Sequence, residues 1–62
     1  MTNKDRLYLF YESQFVAENF TTNYDDTTEV LTVSDSVDTL QFCIKNNLVY
    51  NITDHKYEQE IA

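Results

Sequence analysis

Cys43 and His55 are the single cysteine and single histidine of this 62-residue chain, and a thiol beside an imidazole is the smallest pair that supports nucleophilic catalysis. A working pair also needs a group to orient the base and donors for the developing charge. The sequence offers no motif for either. Cys43 falls among apolar residues, where cysteine behaves as a small buried hydrophobe rather than a reactive thiolate. His55 is flanked by Asp54 and lies three residues before Glu58, which suits a weak metal site or a pH-sensitive contact, but a surface histidine in a charged tail accounts for it more simply. Glu12 and Glu18 are candidates for paired carboxylates; acid/base work also demands a pocket, and a chain this short leaves little volume for one. With one Cys and one His, a zinc site would have to draw on carboxylates. The absence of glycine removes the usual phosphate-cradling loops. No catalytic residue, cofactor site or metal site is therefore expected, and the chain reads as non-enzymatic.

The acidic side chains are the more informative chemistry. Eleven Asp and Glu stand against four Lys and Arg, a net charge of -7. Affinity for nucleic acid comes mainly from Lys and Arg displacing counterions from phosphates, so direct nucleic-acid binding is not expected. Lys4, Arg6, Lys45 and Lys56 are too few to hold phosphorylated small molecules with any strength. An acidic surface instead speeds encounter with basic proteins. The densest acidic stretch is Asp25-Asp26-Thr27-Thr28-Glu29; it lacks the glycine and ligand ladder of a calcium loop and reads as a solvated connector. A DNA mimic needs carboxylates arrayed along one face, and acids spread from Asp5 to Glu60 leave both that role and simple solubility open.

These groups must be positioned by a domain without glycine or proline, so each turn falls to Asn, Asp, Ser or Thr, which bond their own backbone. Nine aromatic residues and a hydrophobic fraction of 42% exceed what a disordered acidic tail carries. A chain of this size is marginal alone, and one cysteine allows no internal disulfide. A homodimer is the expected reinforcement. Residues 1–6 are polar with no apolar signal region, and no stretch is long enough to span a membrane; a cytoplasmic location is expected. The triplets starting at Asn19 and Asn51 match a glycosylation pattern and are read as coincidence in an Asn- and Thr-rich chain.

The spacing of Val37, Leu40, Ile44 and Leu48, with Ser36 as cap, predicts a helix over 36–47 that leaves through Asn46 and Asn47 in left-handed conformation. Strands are predicted on each side of it, at 29–33 and 48–53. Residues 7–20 fit a hairpin with strands at 6–11 and 15–20; a helix from 5 to 19 is the competing reading. Residues 24–28 are expected to be a polar connector, and the tail from 55 a short turn or a frayed end. The expected fold is thus a single α+β domain over 1–62, a small antiparallel sheet packed on one helix.

In length, charge and Asn/Tyr/Asp-rich composition the chain resembles a class of tiny acidic proteins of bacteriophages and mobile elements that bind and block a host protein. The class includes anti-CRISPR proteins, inhibitors of other antiphage systems such as Hachiman or Gabija, and uracil-DNA glycosylase inhibitors that imitate DNA. The resemblance implies a non-enzymatic inhibitor that occupies a surface of a host defence or nucleic-acid-processing protein, often as a homodimer. An antitoxin-like or regulatory module that neutralises a basic partner is the alternative; a third is an oligomerisation piece pairing through a sheet edge at 48–53. Because large aromatics dominate interface energetics, Tyr11, Phe15, Tyr24 and Tyr50 are the expected partner anchors, with Asp25, Asp26 and Glu29 steering. Phe42 and Tyr50 are the expected dimer contacts.

Overall fold

Thr2 begins the ordered structure with a reciprocal cap. Its hydroxyl accepts from the Asp5 backbone N–H at 3.1 Å while the Asp5 carboxylate accepts from the Thr2 N–H at 3.4 Å, satisfying donors that a helix start leaves open. The helix α1 that follows runs Asn3–Gln14 in a computed structural model that describes residues 1–15 and 20–58. Leu7 and Phe10 are buried on its inner side, with Tyr8 and Tyr11 packed partly against the same core. Leu9, which an alternating strand would have buried with Leu7, is 52% exposed. The hairpin expected over 6–11 and 15–20 is therefore corrected to the competing reading in its first half, because the cap and the i, i+3, i+4 spacing of Leu7, Phe10 and Tyr11 outweigh the alternation of Leu7, Leu9 and Tyr11. Residues 16–19 of that segment, Glu18 included, lie outside the described residues. Ser13 donates to the Phe10 carbonyl at 2.9 Å near the last turn, and Phe15 closes the helix with its N–H on the Tyr11 carbonyl at 2.8 Å.

The remainder is a five-stranded antiparallel meander in chain order: β1 Thr21–Asp25, β2 Val30–Ser34, β3 Thr39–Lys45, β4 Leu48–Asn51 and β5 Lys56–Tyr57. The expected α+β class holds, with α1 packed on one face of the sheet. The predicted strands at 29–33 and 48–53 correspond to β2 and β4. The helix predicted over 36–47 is corrected to the β2–β3 loop and β3. Side chains four apart share a strand face as readily as a helix face, since four is also an even number. Leu40, Phe42 and Ile44 all turn toward the core, whereas Val37, needed for a helical stripe, is 81% exposed. Ser36 caps nothing; instead the Asp35 carboxylate accepts the Val37 and Asp38 N–H groups at 2.8 and 2.7 Å and folds the chain back. Asn46 and Asn47 are left-handed as expected, at φ 53° and 63°, but as the two-residue turn that joins Lys45 to Leu48.

The register places Tyr24, Leu31 and Phe42 side by side, then Asn51. With Val33, Val49, Leu7 and Phe10, the apolar members of this row form the core. Phe15 meets Phe10, Phe20 and Phe42 edge-on at 6.4, 5.1 and 6.0 Å, an arrangement that adds to burial. Because β4 lies between β3 and β5, it is no edge, and the expectation of subunit pairing through 48–53 is overturned. Among the described residues the edges are β1 and the two-residue β5. The tail expected as a helical turn or frayed end contributes β5 through Tyr57. Among the described residues no helix is long and apolar enough to cross a membrane.

Candidate partner-binding surface

Asp25 ends β1 and builds the loop that follows. Its Oδ1 accepts from the Thr27 and Thr28 N–H groups at 2.8 and 3.2 Å, and its carbonyl accepts from the Glu29 N–H at 2.7 Å. Glu29 then adopts φ 59°, the left-handed region that costs a side chain with a Cβ, before Val30 begins β2. Its Oε1 accepts from Asn3 Nδ2 at 3.0 Å, so the loop is fastened to the start of α1. Asp25, Asp26 and Glu29 are all exposed. Tyr24 sits half-buried beneath them on the helix side of the sheet, with Lys4 Nζ 5.6 Å from its ring centre. Desolvation first, then the charges of Glu29, Asp26 and Asp25, push its hydroxyl pKa up. The result is a neutral phenol bordered by three carboxylates at one end of the sheet.

The other expected anchors lie elsewhere. Tyr11 stacks on Phe15 at 5.5 Å and 21° near the C-terminal end of α1, and both are half-buried against the core; they do not converge with Tyr24. Phe42 is 1% exposed, so it offers nothing to a second subunit, and its reading as a dimer contact is corrected to a core residue. Tyr50 points to the sheet face away from α1, sharing a cross-strand row with Cys43 and Tyr57. The Tyr50 and Tyr57 rings meet edge-on at 4.9 Å, Lys45 Nζ lies 4.6 Å from the Tyr50 ring centre, and Asn46 Nδ2 donates to the Tyr57 hydroxyl at 2.7 Å. Tyr57, unnoticed in the sequence because β5 is only two residues long, is 44% exposed.

Cys43 is half-buried beside Tyr50, and burial raises its thiol pKa against a smaller opposing effect of Lys45, which keeps it protonated at neutral pH. His55 is an exposed loop residue at φ 57°. Asn51, the first residue of the second glycosylation-like triplet, is 2% exposed. Its Nδ2 donates to Asp54 Oδ2 at 3.2 Å and Glu58 Oε2 at 3.1 Å, and its Oδ1 accepts from the Asp54 N–H at 2.9 Å. Among the described residues no three His, Cys, Asp or Glu side chains gather to hold a metal ion. A shallow groove of about 330 Å³ runs along the outer side of α1 between Met1, Asp5, Tyr8, Leu9 and Glu12. Compared with protein-family models, curated proteins and solved structures, the chain matches none.

Proposed function

We propose that this chain is a non-enzymatic, phage-encoded inhibitor that acts in the bacterial cytoplasm by binding a basic surface of an antiphage defence or nucleic-acid-processing protein. The observation that carries this reading is the acidic loop itself. The loop that carries Asp25, Asp26 and Glu29 is pinned through Asp25, which accepts from the Thr27 and Thr28 N–H groups, and through Glu29, which accepts from Asn3, rather than left as a loose connector, with the aromatic anchor Tyr24 next to Asp25 in β1. A fixed cluster of like charges steers a basic partner and sets its orientation, and a half-buried tyrosine contributes apolar contact area at little entropic cost. The sheet face around Tyr50 and Tyr57, which lies away from α1 and is uncovered among the described residues, supplies the surface for a second subunit of a homodimer.

Retention of host proteins on the tagged chain at low and high salt tests the reading. A defence nuclease or helicase released at high salt supports it, whereas retention of a basic toxin would favour an antitoxin role. With the retained protein in hand, the Asp25→Asn, Asp26→Asn, Glu29→Asn triple variant removes the charge while Asn keeps the Oδ1 acceptor of Asp25 and tolerates the left-handed backbone at Glu29, at the loss of the bond from Asn3 to Glu29. The expected result is association slowed by about tenfold or more, with a flattened salt dependence. An unchanged on-rate would remove the acidic loop from the mechanism.

A further inference from the structure

We infer that the open edge of β1 receives an extended basic segment of the partner, which joins the sheet as a further strand. This rests on the proposed reading of the acidic loop as the partner-binding end, and it specifies how that partner is held.

The ladder determines which groups are available. Asn46 and Asn47 form a two-residue turn, so Lys45 and Leu48 face each other as a hydrogen-bonded pair. The bond from the Ile52 N–H to the Gln41 carbonyl, at 2.8 Å, continues that phase down β3. The even residues of β3 consequently bond to β2, the odd residues of β2 to β3, and Val30, Thr32 and Ser34 to β1. Their partners Asp25, Asn23 and Thr21 thus face inward, in agreement with the Asp25 carbonyl meeting the Glu29 N–H. Thr22 and Tyr24 turn their N–H and C=O groups outward, away from the sheet.

Among the described residues this edge carries no Lys, Pro or bulge of the kind that blunts natural edge strands, and its one charge is Asp25 at the end of the strand. β1 is Thr-Thr-Asn-Tyr-Asp, about 17 Å of regular strand, paired without a bulge to β2. The opposite edge, β5, is two residues long and carries Lys56.

Charge selects the occupant. Residues 20–44, which include β1, β2 and the loops at both ends of β2, contain Asp25, Asp26, Glu29, Asp35 and Asp38 and no Lys or Arg. A second copy of β1 would bring the same acids to the same edge. A segment with Lys or Arg at its outer positions meets Asp25, Asp26 and Glu29 at one end and Asp35 and Asp38 toward the other. Main-chain bonds to Thr22 and Tyr24 then provide affinity while the flanking carboxylates provide selectivity.

The probe is a short synthetic peptide alternating lysine with valine and threonine, together with a twin that is N-methylated at alternate backbone positions and so keeps the charge but cannot pair. Amide exchange and chemical shifts are followed by NMR in the wild-type chain, in Thr22→Pro, and in the triple Asn loop variant. Proline removes the outward Thr22 N–H without taking a bond from the β1–β2 ladder, which an edge position tolerates. The expected result is slower exchange at Thr22 and Tyr24 on adding the peptide. Affinity falls about tenfold or more for the methylated twin and for Thr22→Pro, the scale of losing one or two hydrogen bonds. If both peptides bind equally and only the loop variant weakens them, the charge reading survives and edge pairing is overturned. If neither peptide binds, or the loop variant binds as the wild type does, the acidic-loop reading falls with it. Protection of Thr22 and Tyr24 without peptide, rising with protein concentration, would assign the edge to a second copy and overturn the proposal.

Discussion

Arg6 holds Asn47 with two hydrogen bonds, from one guanidinium nitrogen to the side-chain Oδ1 at 2.7 Å and from the other to the backbone carbonyl at 2.8 Å. This fork fastens the first turns of α1 to the β3–β4 turn, 41 residues away in sequence. Arg6→Ala is expected to destabilise the fold by about 1–2 kcal/mol, since bonds from a charged donor are worth more than neutral ones. Asn47→Ala should cost a similar amount by losing one acceptor and straining a left-handed residue. Asn47→Gly should cost less, because glycine relieves the strain at φ 63° and the backbone carbonyl remains. Urea unfolding of the three variants provides the comparison; equal losses for Ala and Gly at Asn47 would argue against backbone strain there.

The loops after Asp25 and Asn51 are built alike. In each, the side-chain oxygen of the first residue accepts a loop N–H, and the last residue, Glu29 or His55, is left-handed. His55→Gly should stabilise the chain by about 1 kcal/mol, seen as a higher urea midpoint with an unchanged slope. Glu29→Gly should gain less, because it also discards the bond from Asn3.

Asp35 couples the β2–β3 loop to pH. Its carboxylate pKa is lowered from 3.8, first by the Asp38 N–H and then by the Val37 N–H. A carboxyl with a depressed folded pKa binds protons more readily in the unfolded chain. Its contribution is therefore complete above the unfolded value and is lost as pH falls below 3.8 through the folded one. Asp35→Asn should lower stability near neutral pH, where the ionised carboxylate contributes fully, and flatten the acid limb in that window, so that the two chains converge at low pH. An identical acid limb would disprove the coupling.

Asn51 is the buried polar residue on which the β4–β5 corner depends. Asn51→Leu leaves the Asp54 N–H without its acceptor and deprives both Asp54 and Glu58 of a donor; a loss of about 2–3 kcal/mol is expected. Asn51→Asp should be worse at neutral pH, because it places a third carboxylate against the other two, and it should partly recover on acidification. Thermal melts at two pH values distinguish the variants.

Tyr50→Ala tests the uncovered face. For the proposed homodimer, the substitution is expected to lower the mass in solution to that of a monomer, as read by light scattering against the wild-type chain, while preserving the far-UV spectrum. An unchanged mass would remove that face from self-association.

Legibility of the fold followed how far local patterns were unambiguous. Val30, Leu31 and Val33, and Val49 and Tyr50, mark their strands through β-branched and aromatic residues; the α+β class held although its expected helix at 36–47 is largely strand and its one helix, Asn3–Gln14, lies where a hairpin was expected. The left-handed pair Asn46-Asn47 was equally clear, but such a pair ends a helix and turns a hairpin alike. The spacing of Leu40 and Ile44 satisfies both periods, and only the burial of Phe42 and the exposure of Val37 separate them. The helix Asn3–Gln14 was obscured by aromatic residues that alternate and recur at helical spacing within the same window. At the surface, the acidic stretch was visible as composition, yet the role of Asp25 in holding it together depends on backbone geometry. The open β1 edge could not be read from sequence, since strand order decides which strand is outermost.

The order of elements has a consequence for synthesis on the ribosome. α1 emerges first, but the side chains that cover it come from later in the chain: Phe42, whose ring meets Phe10 at 5.1 Å, and Val49. A twelve-residue helix is marginal in water by itself. Each hairpin of the meander pairs with the strand made just before it, so the sheet can grow as translation proceeds while Leu7 and Phe10 wait uncovered. The nascent chain thus carries the apolar face of α1 exposed until Phe42 and Val49 have been made, and that interval is when a chaperone would find it.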